Sequence, residues 1–163
     1  AENAQIMYVQ MMCRKIGLFI AEENDAELIF SLEAILQLTE TDMTIFFRNL
    51  SLFEVEKPAN GIKIIEAAFY VPDDVSGSIK QKWNDWFNNY AVRLKKESIS
   101  DLNRKEKMNL INPKYVLRNY MAQLAIDKAD NGDYSLIEEL YQLLKKPYDE
   151  QPNSEQWFAK RPD

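Results

Sequence analysis

Histidine is missing from all 163 residues, and cysteine occurs once, at Cys13. The first absence removes the commonest general base, the Ser–His and Cys–His pairs, and every histidine-containing zinc site. The single cysteine excludes an internal disulfide and a Cys-only zinc site, and it suits a reducing compartment. Glycine and proline are scarce, at four and six, which disfavours long loops and all-β folds. The glycines are scattered, so there is no Gly-rich phosphate loop. No apolar run approaches the roughly 20 residues of a membrane span. The opening "AENAQIMYVQ" lacks the basic start and cleavage site of a signal peptide. It also lacks an initiator methionine, which points to a chain processed or cut from something longer. A net charge of −6 makes phosphate backbones poor partners, so neither nucleic acid nor membrane is expected.

What is present is helical periodicity. Ile6, Val9, Cys13, Ile16 and Ile20 recur at three- and four-residue spacing, and Leu28, Leu32, Ile35 and Leu36 form a second apolar face. Ile45, Phe46, Leu50 and Phe53 follow a start bracketed by Thr39 and Thr41. Residues 62–71 are ambiguous between helix and strand, and their helical surroundings favour helix. Ile79, Trp83, Trp86, Phe87, Tyr90 and Leu94 give a strongly amphipathic aromatic face, which reads as core rather than as a stacking platform. Asn112-Pro113 predicts the start of a helix over 113–130, with Val116, Leu117, Tyr120, Met121, Leu124 and Ala125 buried. Gly132 suits the left-handed cap that ends it. Ser135 and Glu138 form a capping box for the final helix. The expectation is an all-α domain of seven or eight helices in antiparallel pairs, with a polar tail over 148–163.

Few residues point to chemistry. Asp127 to Glu138 has the length of a calcium loop, but Ala129 stands where an oxygen ligand is needed, and a helix end followed by a cap explains the stretch. Adjacent carboxylates such as Glu138 and Glu139 diverge by about 100° on a helix and cannot share a proton. Cys13 shares an apolar face and reads as a small core residue. The string "NPKYVLRNYMA" is different. Lys114, Arg118 and Asn119 would lie away from the apolar stripe of their helix. Two readings stay open for them: solvated surface, or a docking face that hydrogen-bonds carbonyls and carboxylates of another element. Asn112, Lys114, Arg118 and Asn119 are therefore the candidate docking residues. No catalytic, cofactor-binding or metal-binding residue is expected within the chain.

Residues 112–152, "NPKYVLRNYMAQLAIDKADNGDYSLIEELYQLLKKPYDEQP", closely resemble the C-terminal part of the selenoprotein O family, the pseudokinase-like protein adenylyltransferases. "DMTIFFRNL" at 42–50, the Trp86, Tyr90, Arg93, Leu94 pattern and the closing "RPD" are similar to further family segments, whereas 54–80 carries no likeness. The resemblance implies the C-terminal helical portion of a protein-kinase-like fold. It implies a parent that binds ATP with Mg2+ or Mn2+ and transfers AMP to Ser, Thr or Tyr hydroxyls of proteins. The family's nucleotide and metal residues lie upstream of the matched region and map to no residue of this chain. The implied partners are the upstream kinase-like core of the same chain and the parent's protein substrates, and the implied setting is the bacterial cytoplasm. The fragment itself would be inactive and would hold no cofactor, with Arg118 and Asn119 docking it against neighbouring helices or the core. The alternative is a free-standing helical interaction module.

Overall fold

A computed structural model describes residues 2–162. Eight α-helices run through them: α1 (Glu2–Lys15), α2 (Asp25–Leu36), α3 (Met43–Leu50), α4 (Gly61–Ile65), α5 (Gly77–Leu94), α6 (Asp101–Asn109), α7 (Asn119–Asp130) and α8 (Ser135–Leu144). The fold is all-α, and the one extended pairing among the described residues is an isolated antiparallel bridge between Thr41 and Phe69.

α5 is the axis. Its 18 residues span about 27 Å at 1.5 Å per residue, and the aromatic face expected from the sequence is buried along it. Trp86 stacks on Tyr90 at 4.8 Å between ring centres, Trp83 on Phe87 at 5.7 Å, and Phe53 on Phe87 at 5.4 Å. The polar tips are used too. Trp86 Nε1 donates to the Leu28 carbonyl at 3.1 Å, and the Tyr90 hydroxyl donates to the Ile16 carbonyl. Burial pushes the Tyr90 phenol far up. Around this axis pack α2 through Leu28, Ile29, Leu32 and Ile35, and α3 through Ile45, Phe46, Phe47 and Leu50. A second, smaller core lies between α7 and α8, built from Tyr115, Met121, Ala125, Leu136, Leu140 and Leu143. Phe158 packs against both cores and so ties the polar C-terminal segment to the body.

Several expected boundaries move. The apolar face of α1 does not reach Ile20. The helix stops at Lys15 because Gly17 turns left-handed at φ 82°. Leu18 N–H then bonds back to Cys13 and Gly17 N–H to Arg14, which closes the helix end and buries Leu18. The 62–71 stretch is helical only to Ile65, with a tight turn over Glu66–Ala68. Phe69 is then extended, because it is drawn into the core beside Trp83 and the following residues approach Pro72. The largest correction concerns 113–130. α7 begins at Asn119, and 113–118 is not helical. A bend at Lys114 lets the N–H groups of Lys114 and Tyr115 both donate to the Pro147 carbonyl, at 2.8 and 3.1 Å, and Tyr115 sinks into the second core. Consequently Leu117 and Leu124, expected inside, are exposed. α8 likewise starts at Ser135 rather than after it, and Asp133 Oδ1 accepts the Ser135 N–H at 2.9 Å in place of the expected capping box.

Candidate functional site

The charged residues of "NPKYVLRN" are consumed by a polar belt that joins four parts of the chain. Asn112 is buried and caps another helix instead of its own: Nδ2 donates to the carbonyl of Lys15, the last residue of α1, at 2.7 Å. That carbonyl is one of the unpaired acceptors at a helix end. Lys114, whose side chain is 8% exposed, sends its ammonium to Glu150 and Glu155, each at 2.6 Å. Burial pulls its pKa down, but the two carboxylates outweigh that and the net shift is upward. The Lys114 ammonium also lies 5.2 Å from the ring centre of Phe158.

Arg118 occupies the residue just before α7 and forks onto the carboxylate of Asp42, with Nη2 to Oδ1 at 3.1 Å and Nη1 to Oδ2 closer. Asp42 is itself the N-cap of α3, accepting the Ile45 N–H at 3.0 Å. Burial raises the Asp42 pKa, but hydrogen bonds from Arg118 and the Ile45 N–H more than offset it and hold the carboxyl below its ordinary value. Asn119 differs from its neighbours. It is the first residue of α7 and exposed.

Two organising arginines were not singled out as docking residues from sequence. Arg48, in α3, is buried and donates to the carbonyls of Asn109 at 3.1 Å, Asn112 at 2.9 Å and Tyr148 at 3.1 Å, and to Glu150 at 2.7 Å. Glu150 thus sits between Lys114 and Arg48, and both hydrogen bonds lower its pKa, Lys114's the more. Arg93, in α5, binds Asp25 at 2.5 Å and Glu97 at 2.9 Å, and the Glu97 carboxylate accepts the Phe19 N–H at 2.9 Å. The Arg93–Glu97 spacing of four was a readable signal. The Arg48 contacts, 61 to 102 residues away in the chain, left no local trace.

Every one of these carboxylates faces a cation or a backbone N–H, so the belt holds segments in place and keeps no free acid or base between two reacting groups. Among the described residues no group of three or more His, Cys, Asp or Glu side chains could hold a metal ion. Among the described residues, no helix is long and apolar enough to cross a membrane.

Against known proteins, residues 1–145 match the family described as protein adenylyltransferase SelO. A protein nucleotidyltransferase YdiU from Flavobacterium johnsoniae is 60% identical over 157 residues, which cover 96% of this chain and 30% of the relative. The protein of the same name from Rhodopirellula baltica is 44% identical, covering 99% of this chain and 32% of the relative. That from Aromatoleum aromaticum is 40% identical, covering 94% and 29%. The chain thus spans about 30% of the length of the curated relatives it matches.

Proposed function

This chain belongs to the SelO protein adenylyltransferase family, and from that membership we propose that it is the helical C-terminal part of a longer protein that moves AMP from ATP onto Ser, Thr or Tyr hydroxyls of other proteins. The observation that carries the reading is a family match over residues 1–145 in a chain that spans only about 30% of its relatives. ATP and Mg2+ or Mn2+ would be held outside these residues, by a kinase-like core, in the bacterial cytoplasm. This chain's own part is support: Asn112, Lys114 and Arg118 lock the 112–118 segment, α3 and the C-terminal arm into one body that the core can rest on. A free-standing interaction module would have to act without the polypeptide that makes up most of each relative.

AMP transfer joins the hydroxyl oxygen to the α-phosphorus, breaks the bond between the α- and β-phosphates and releases pyrophosphate, the hydroxyl proton passing to solvent. The longer protein, given ATP labelled at either the α- or the γ-phosphate with Mg2+ or Mn2+, should place α-label on protein and no γ-label. Transfer of γ-label, or of neither, overturns the proposed reaction. Transfer of α-label by the 163-residue chain alone overturns its assignment as a support.

A further inference from the structure

We infer that the outer face of α1 is the seat for the part of the longer polypeptide that lies outside these residues. On the reading proposed above, that part is the catalytic core.

α1 stands half off the body. From Asn3 to Met11 only Val9 is even partly buried, and the helix enters the core at Met12 and Cys13. The projecting turns are nonetheless apolar: Met7 is 69% exposed, Ile6 50% and Met11 49%. With Ile20, they border an open groove of about 790 Å3 whose floor includes Val9, Cys13 and Leu18. The side toward α2 is satisfied separately, for example by the Tyr8 hydroxyl on Glu33. A helix with apolar side chains on two sides needs two partners. Helices of this length are marginal in water without tertiary packing. Methionines at 7 and 11, one turn apart, offer an adaptable apolar surface suited to an aliphatic helix or strap laid in the groove.

The occupant follows from what else is on the molecule. About seven-tenths of each relative lies outside the matched region, and α1 falls within the part that the family shares. That absent polypeptide is covalently tied to this chain, so it meets the groove at high effective concentration. The charged belt is closed by partners within the chain, with Lys114 on Glu150 and Glu155 and Arg118 on Asp42. Another groove, beside α7, is smaller, at about 490 Å3.

The test uses the longer protein and two readouts that do not depend on AMP transfer. In hydroxyl-radical footprinting, Met43 in α3 is the internal reference, being 43% exposed here and so less open than Met7 or Met11. Met7 and Met11 are expected to oxidise about tenfold more slowly than Met43, because their surface is covered. A photoreactive benzophenone side chain placed at position 7 is expected to join peptides outside residues 1–163 of the same chain. Oxidation of Met7 and Met11 at least as fast as Met43 overturns the inference. So do cross-links that join two copies, or cross-links confined to residues 1–163. Protection and cross-linking in a protein that moves no AMP would leave this seat standing and fail only the proposed reaction.

Discussion

Arg118 and Asn119 are adjacent in sequence and opposite in consequence. The Arg118 side chain is 16% exposed and its partner Asp42 is 3% exposed. Arg118→Ala should therefore cost about 2–3 kcal/mol, since it strands a buried carboxylate. Arg118→Lys should recover little, because an ammonium cannot reproduce the fork. Denaturant titration of both variants checks this. The pH dependence has a definite sign. Asp42 has a folded pKa below its unfolded value of about 3.9. Its contribution is full above that value and lost as pH falls through the folded pKa. Arg118→Ala should flatten the part of the acid limb that wild type shows below about pH 4. Asn119→Ala, at an exposed first helical residue, should change stability by no more than about 0.5 kcal/mol. Cys13 is buried, and burial raises its thiol pKa to about 11. A thiol reagent at pH 7 should label it slowly in the folded protein and rapidly in denaturant.

Helix ends carry the next scale. Gly17 and Gly132 both end helices in the left-handed region, at φ 82° and 80°. They differ in what a methyl group would meet. At Gly17 it would stand 2.7 Å from Arg104 Cγ and 2.8 Å from Met108 Sδ, whereas at Gly132 it would meet open space. Gly132→Ala should cost only the backbone strain, about 1 kcal/mol. Gly17→Ala should cost that plus the displacement of a packed helix, for a total of about 2–4 kcal/mol. Paired thermal unfolding curves test the order, and equal losses would mean that α6 yields freely. Gly132 was recognisable beforehand because a polar turn follows it. Gly17 was not, because Leu18, Phe19 and Ile20 continue the apolar spacing across it.

For the whole molecule, Arg48 is the joint. Its guanidinium links α3, the end of α6, the 112–118 segment and the arm at 148–150. Arg48→Ala removes all four hydrogen bonds and takes this donor from the buried Asn112 carbonyl, so a loss of about 3 kcal/mol is expected. Glu150→Gln should cost only about 0.5–1 kcal/mol, because that carboxylate is 59% exposed and screened by water. Hydrogen exchange should show where Arg48→Ala acts: the 145–162 arm and α6 should lose protection before α2 and α5 do. Uniform loss across all helices would contradict a joint and indicate a single cooperative body.

The sequence by itself determined the helical class, the aromatic axis of α5 and most of the apolar faces. Those follow from side-chain spacing along one element, and burial of a regular stripe needs no knowledge of the partner. It also carried the family, because "NPKYVLRN" and its neighbours are distinctive as a string. Only the tertiary structure decided what that string does. Asn112-Pro113 is locally a good helix start, yet the Pro147 carbonyl accepts the N–H groups of both Lys114 and Tyr115, and the second core takes Tyr115. Those contacts come from a segment more than thirty residues away in sequence, and together they outweigh a local capping preference worth about 1 kcal/mol. Lys114 and Arg118 consequently face partners that no spacing rule could name. Those partners, Glu150 and Glu155 for Lys114 and Asp42 for Arg118, all lie within these residues.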